Sequence, residues 1–174
     1  MKLYSAINQN SVNLIVFNLM WIGLVLGRES FLFITVPVVI GYVTFLITSG
    51  RIKAYQLLVP AGIGISVDSL LTIFGIFSFA NSNFLIPLWL IMLWLAFSTT
   101  LTHSLSFLSK HWFIAAIAGG VAFPFNYAVG ERLGAVTFDA PFILTMLVIG
   151  IVWLFLLPVL YFVIRDSLKN EITT

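Results

Sequence analysis

The stretch that decides the fold is a long apolar run ending in hydroxyl groups, residues 84–109, FLIPLWLIMLWLAFSTTLTHSLSFLS. It contains no Asp, Glu, Lys or Arg, and as a helix it is long enough to cross a hydrocarbon core of about 30 Å. Residues 98–106 nevertheless carry a histidine and six hydroxyl side chains: Ser98, Thr99, Thr100, Thr102, His103, Ser104 and Ser106. We therefore expect a membrane-spanning helix with one face turned away from lipid.

The composition of the whole chain agrees with a membrane protein. Of 174 residues, 61% are hydrophobic and only 8% are charged, and the mean hydropathy is +1.13. Soluble domains carry about 25% charged residues, so a soluble globular fold is excluded. The absence of cysteine excludes disulfides and thiolate chemistry. The net charge of +2 without a basic stripe makes nucleic acid an unexpected partner.

Six hydrophobic runs of near-spanning length follow one another, at 12–27, 31–49, 57–79, 84–109, 113–130 and 142–164. The predicted fold is an all-α integral membrane protein, a six-transmembrane-helix bundle with short loops that forms one domain over residues 1–174. No small-residue cleavage site follows the first run, so we interpret it as a retained span.

The distribution of Lys and Arg predicts the orientation. With six spans, one side of the membrane receives Lys2, Arg51, Lys53, Lys110, Arg165 and Lys169, whereas the other receives only Arg28 and Arg132. Cytoplasmic loops are enriched in basic residues. We therefore expect both termini on the cytoplasmic side of the membrane.

Asp68 is the residue that is hardest to place in lipid. It lies near the middle of the third predicted span, where a charged carboxylate costs on the order of 3 kcal/mol on insertion scales. It must be protonated, paired or hydrated. Two interpretations stay open: a proton or substrate site, or a buried carboxyl that hydrogen-bonds a neighbouring helix.

His103 and the hydroxyls around it form the second candidate site. On a continuous helix, Thr99, Thr100, His103, Ser106 and Phe107 share one face, and Ser104 lies next to His103. This face should look into the bundle, where we expect a partly polar pocket that opens toward the cytoplasmic half and is approached by Asp68. The alternative is a neutral histidine bonded to a backbone carbonyl, with hydroxyls bonded back to their own helix.

The third cluster is FNYAVGERLGAV, residues 125–136, with Asn126, Tyr127 and Arg132. Arg132 lies at the outer end of its predicted span. It either extends to the membrane surface beside Glu131 or contacts an anion or lipid head group, which would require a helix break near Gly130. Gly119, Gly120 and Pro124 make a kinked or broken fifth helix plausible.

The strings IPLWLIMLWLAFSTTLTHSLSFL and GGVAFPFNYAVGERLGAV resemble a bacterial inner-membrane family known as domain of unknown function 2878. The resemblance runs over almost the whole chain, and it implicates Asp68, Trp89, Trp94, Thr100, His103, Ser104, Pro124, Tyr127, Gly130, Arg132 and Gly134. It implies a location in the inner membrane of a bacterium, but it implies no activity. In architecture the chain is also similar to the substrate-binding subunits of energy-coupling-factor transporters, which carries little functional weight.

These features favour a protein that binds or transports a small molecule or lipid within its bundle. The predicted ligand-binding residues are Asp68, Thr100, His103, Ser104, Asn126, Tyr127 and Arg132. Coupling would then require a proton gradient or an energising partner subunit. We expect no cofactor and no metal, because the two histidines are poorly spaced for one. The alternatives are a lipid-modifying enzyme with His103 as general base and Asp68 orienting it, or a structural scaffold.

The predicted topology can be tested with a single cysteine, since the chain has none. A cysteine replacing Ser82, in the predicted outer turn ANSN, should react with a membrane-impermeant thiol reagent in intact cells. Labelling that appears only after lysis would show the opposite orientation.

Overall fold

A computed structural model describes the backbone of residues 2–80 and 86–172 and the side chains of residues 9–80 and 86–165. Its helices are α1 (Lys2–Gly27), α2 (Leu32–Thr48), α3 (Ala54–Ile73), α4 (Leu88–Thr102), α5 (Trp112–Arg132) and α6 (Phe142–Ile172). Two short strands, β1 (Phe77–Ser78) and β2 (Thr137–Phe138), and two 3₁₀ turns, Arg28–Phe31 and Ser106–Lys110, complete the described fold. Ser82 and the first two residues of the predicted span 84–109 lie outside the described residues.

The all-α membrane class agrees with this architecture, but the count of six crossings is not matched. Within the described residues, four helical segments are long and apolar enough to cross a membrane: Gln9–Thr48, Ala54–Ile73, Trp112–Arg132 and Phe142–Arg165. The first two predicted spans merge into one apolar segment. The helix in the fourth predicted span has only 15 residues, a rise of about 22 Å, less than the thickness of the hydrocarbon core.

The chain reverses direction inside the segment Gln9–Thr48. Asn13 Nδ2 donates to the Tyr42 hydroxyl at 3.0 Å, although these residues would lie about 43 Å apart on a straight helix. The reversal occurs at the 3₁₀ turn, where Arg28 has a φ of 44°, a left-handed conformation that residues other than glycine rarely adopt. α1 and α2 therefore form a helical hairpin.

Three connections meet at one end of the bundle, which we call the strand end. β1 pairs antiparallel with β2, with Phe77 opposite Phe138, so the chain after α3 lies beside the α5–α6 connection. The Arg28 guanidinium of the α1–α2 turn donates to the carbonyl of Gly134. The connections α2–α3 and α4–α5 lie at the opposite end, which follows from the alternating direction of the helices.

Glycines allow α5 and α6 to pack at close range. A Cβ on Gly119 would collide with the backbone carbonyl of Trp153, and one on Gly120 would lie 3.3 Å from the carbonyl of Gly150. Small residues permit such backbone contact between membrane helices. α5 runs unbroken through Pro124 to Arg132, so the break near Gly130 that an anion or head-group contact of Arg132 would require is not present.

α4 ends earlier than predicted, at Thr102. Its final hydroxyls bond to backbone carbonyls of the preceding turn, Thr99 to Ala96 and Thr100 to Phe97, each at 2.7 Å. Such bonds compete with the helical hydrogen bonds, and His103 then leaves the helical conformation with φ −119° and ψ −99°. The predicted continuous helical face from Thr99 to Phe107 therefore does not form.

The α5–α6 contact predicts a difference between two glycine-to-alanine substitutions. Gly119→Ala should lower the free energy of unfolding by about 1–3 kcal/mol, because the new methyl group would collide with the backbone carbonyl of Trp153, which cannot move aside as a side chain can. Gly62→Ala in α3, where nothing lies within 4 Å of the new Cβ, should keep the stability or raise it by up to about 1 kcal/mol, because alanine favours the helix. Thermal unfolding of both variants in detergent measures this, and equal melting temperatures would contradict the close packing.

Candidate functional site

A cavity of about 640 Å³ lies between α1, α4 and α5, with contributions from α3 and α6. Most of the side chains that line it are apolar or aromatic, and the polar minority includes Asp68, Thr100, Ser104, Asn126 and Tyr127. Its volume falls in the range of small-molecule sites, which are mostly apolar with a few placed polar groups.

The cavity is elongated along the bundle. On α1 the lining runs from Leu14 to Val25, a helical rise of about 16 Å. Ala135 and Val136 line it near the strand end, and Leu105 and Leu108 line it near the opposite end. A space of this length and volume is narrow, which suits an extended apolar chain better than a compact molecule.

One side of the cavity opens between α1 and α5. α1 packs mainly on α4 and α2, whereas α5 packs mainly on α6. The lining residues Leu14 and Asn18 on α1, and Ala122 and Asn126 on α5, are exposed. The amides of Asn18 and Asn126 donate to carbonyls of their own helices, those of Leu14 and Ala122. These residues form a rim that faces the surroundings of the bundle.

Asp68 is completely buried at the cavity wall. Its Oδ2 accepts a hydrogen bond from Trp94 Nε1 at 2.7 Å, and its Oδ1 accepts one from the Tyr127 hydroxyl at 2.5 Å. These donors belong to α4 and α5, so the carboxyl group connects three helices. No Lys, Arg or His is among the described residues that line the cavity, so the carboxyl is held by neutral donors.

Aromatic rings form much of the wall beside Asp68. The Trp94 and Trp153 rings are stacked, with centroids 5.5 Å apart and an interplanar angle of 3°, and Phe123 stacks on Trp153 at 3.4 Å. Gly64 makes room for this arrangement, because a Cβ there would collide with the Trp94 indole.

The indole N–H of Trp153 is a buried donor at the cavity wall whose hydrogen-bonding capacity is not fully used. Trp153 is 2% exposed. Its Nε1 interacts with the nearby Tyr127 hydroxyl, yet it makes no hydrogen bond of normal geometry within the described part of the chain. A buried donor without a full partner is uncommon, and this one lies on a residue that lines the cavity.

Five of the seven predicted site residues line the cavity, whereas His103 and Arg132 do not. His103 is buried, with Nδ1 at 2.9 Å from Thr102 Oγ1 and 3.1 Å from the Thr99 carbonyl oxygen. The exposed Arg132 lies in the last turn of α5. Asp68 lines the cavity and His103 does not, so the predicted pocket shared by these two residues is not observed.

Asn13 gives the hydroxyl cluster a structural role. It is 1% exposed, and its Nδ2 donates to Thr99 Oγ1 at 3.0 Å as well as to Tyr42. Its Oδ1 accepts from Ser104 Oγ at 2.7 Å. This one amide therefore joins α1, α2 and the end of α4, and part of the polar stretch serves to hold these helices together.

Sequence reasoning missed Trp94, Trp153 and Phe123 as ligand-binding candidates. A signal was available for the two tryptophans, because both lie well inside apolar runs rather than at their ends, and a buried indole usually needs a partner for its N–H. Phe123 had no such signal, since one phenylalanine among 17 does not stand out. No group of three or more His, Cys, Asp or Glu side chains that could hold a metal is present in the described residues.

Comparison with known families gives one match. Residues 10–159 match the family described as "Protein of unknown function (DUF2878)". The chain belongs to this family. The cavity-lining residues, from Leu14 to Leu157, all lie within the matched segment. Neither the curated proteins nor the solved structures gave a match, so the likeness to energy-coupling-factor subunits stays a prediction.

The two hydrogen bonds to Asp68 predict a large stability effect. Asp68→Leu would leave the Trp94 and Tyr127 donors buried without an acceptor, which should lower the free energy of unfolding by about 2–4 kcal/mol. Asp68→Asn keeps one acceptor oxygen and should cost less. Asp139→Leu is the control: it removes only an exposed hydrogen bond from Ser78 Oγ and should lower the free energy of unfolding by less than about 1 kcal/mol. Melting temperatures in detergent measure these differences. An unchanged melting temperature for Asp68→Leu would show that the two hydrogen bonds to Asp68 do not stabilise the fold.

Proposed function

We propose that this membrane protein binds the apolar chain of an amphiphile in the cavity between α1, α4 and α5. The observation that carries the proposal is the elongated apolar cavity of about 640 Å³ with a buried carboxyl at its wall. Apolar walls favour a chain through the hydrophobic effect, and the few polar groups would fix its orientation.

The rim between α1 and α5 supports entry of the ligand from the side. Its residues are exposed on helices that belong to apolar candidate spans, so in a membrane this opening would face lipid. A lipid-like ligand could then enter without leaving the bilayer. The amides of Asn18 and Asn126 at the rim could exchange their intrahelical bonds for contacts to a polar head group.

We further propose that the chain crosses the inner membrane of a bacterium six times, with both termini in the cytoplasm. The α1–α2 hairpin supports two crossings in the segment Gln9–Thr48. Arg28 and Arg132 lie near the strand end, whereas Arg51, Lys53 and Lys110 lie in the connections at the opposite end. This separation agrees with the positive-inside rule.

The competing functions receive less support. An enzyme with His103 as general base would need His103 in the cavity, and His103 is not among the described residues that line it. The Asn13 bonds support a scaffolding contribution, but a scaffold alone does not require a cavity. If the protein also moves its ligand, a proton gradient or a partner subunit would have to supply the free energy.

The position of the tryptophans permits a direct binding test. Trp21, Trp89, Trp94 and Trp153 line the cavity, while Trp112 does not and is 74% exposed. In a Trp112→Phe background, reconstituted in vesicles, a bromine-labelled single-chain amphiphile should quench the remaining fluorescence saturably. Bromine quenches only at contact, so saturation reports occupancy of the cavity.

Two substitutions on α5 provide the control. Ala118→Phe fills the cavity and should weaken binding by about tenfold or more, equal to about 1.4 kcal/mol or more. Ile117→Phe adds a ring at a neighbouring exposed position that does not line the cavity and should leave binding unchanged. Quenching that rises linearly and equally in both variants would overturn the proposed function.

A further inference from the structure

We infer that the cavity selects an amphiphile with a cationic head group of the ammonium class, held by the Asp68 carboxylate and the aromatic rings beside it. This inference rests on the proposed function and specifies the chemical class of its ligand.

The first argument is charge balance. Among the described residues that line the cavity, Asp68 is the only one whose side chain can carry a full charge at neutral pH. Its two hydrogen-bond donors, Trp94 and Tyr127, are both neutral. A buried carboxylate without a counter-charge is costly, and a cationic ligand would supply that counter-charge.

The second argument is the fixed position of this charge. Asp68 is buried in the cavity wall, and the donors from Trp94 and Tyr127 fix the orientation of its carboxyl group. An alkylated ammonium group needs no hydrogen bond to the carboxylate, because the attraction between opposite charges acts across the short distance through the wall and is strong where water is excluded.

The third argument is the chemistry of the surrounding wall. Four tryptophans line the cavity, together with Phe17, Phe79, Phe97 and Phe123. A cation over an aromatic face gains about 0.5–2 kcal/mol, and tryptophan is the most favourable partner. Aromatic side chains together with a carboxylate are the usual means of recognising an alkylated ammonium group, which has few or no hydrogen-bond donors.

The geometry also gives the direction of the ligand. Asp68 lies five residues before the end of α3 at Ile73, about 8 Å from that end, so the head group would lie toward the strand end. The apolar chain would extend toward Leu105 and Leu108 near the opposite end. An anionic head group in the same position would face the carboxylate with no cation in the described cavity wall to offset the repulsion.

Head-group selectivity tests this inference. Three bromine-labelled amphiphiles of equal chain length, with trimethylammonium, hydroxyl or carboxylate head groups, are titrated into Trp112→Phe protein in vesicles of zwitterionic lipid. The trimethylammonium probe should bind about tenfold more tightly than the hydroxyl probe, and the carboxylate probe most weakly. Saturable binding with equal affinities, or with the hydroxyl or carboxylate probe tightest, overturns the inference but leaves the proposed function standing. If none of the probes quenches saturably, the proposed function fails as well.

Three variants identify the group responsible. Asp68→Asn should remove the preference for the trimethylammonium probe, whereas Asp139→Asn at the strand end should preserve it. Tyr127→Phe removes a hydrogen bond that favours the ionised form of Asp68, so it should weaken the preference at pH 7 and regain it at pH 9. If Asp68→Asn does not fold, Tyr127→Phe still decides, because a preference that is absent at both pH values would overturn the role of Asp68.

Discussion

The carboxyl group of Asp68, fixed by Trp94 and Tyr127, is the interaction on which the centre of this bundle depends. A carboxyl group cannot remain unpartnered inside a membrane protein, so α4 and α5 must each bring a donor to the same point on α3. This requirement places the indole of Trp94 against Gly64 and in the stack with Trp153 and Phe123. One polar constraint therefore organises an otherwise apolar core.

A second polar constraint holds the other half of the bundle. The Asn13 amide joins α1, α2 and the end of α4, while glycines bring α5 and α6 together. One well-packed unit consists of α1, α2 and α4, and the other of α5 and α6. The cavity lies between them, with α1 on one side and α5 on the other. Directional bonds of Asn13 and Asp68, together with close backbone packing, thus keep open a space that apolar side chains alone would tend to fill.

The sequence allowed the membrane class, the all-α fold and the importance of Asp68 to be predicted, because burying a charge in lipid is costly wherever it occurs. The end of α4 at Thr102 was not predicted. A single threonine is compatible with a helix, whereas here the hydroxyls of Thr99, Thr100 and Thr102 all bond to backbone carbonyls of the preceding turn where the helix ends. His103 was predicted to lie in the site because the type of a residue indicates its polarity, whereas the direction in which its side chain points depends on the fold. The partners of Asp68 come from other helices and could not be read from local spacing.

The order of the helices along the chain has a consequence for biogenesis. α3 is synthesised before α4 and α5, so its carboxyl group leaves the ribosome before either Trp94 or Tyr127 exists. A lone carboxyl is unfavourable in the bilayer, which disfavours stable insertion of α3 as an isolated helix. The translocon would have to retain α3, or allow it to stay hydrated, until the later helices arrive. Final assembly of this small protein is therefore expected to be concerted and to take place late in translation.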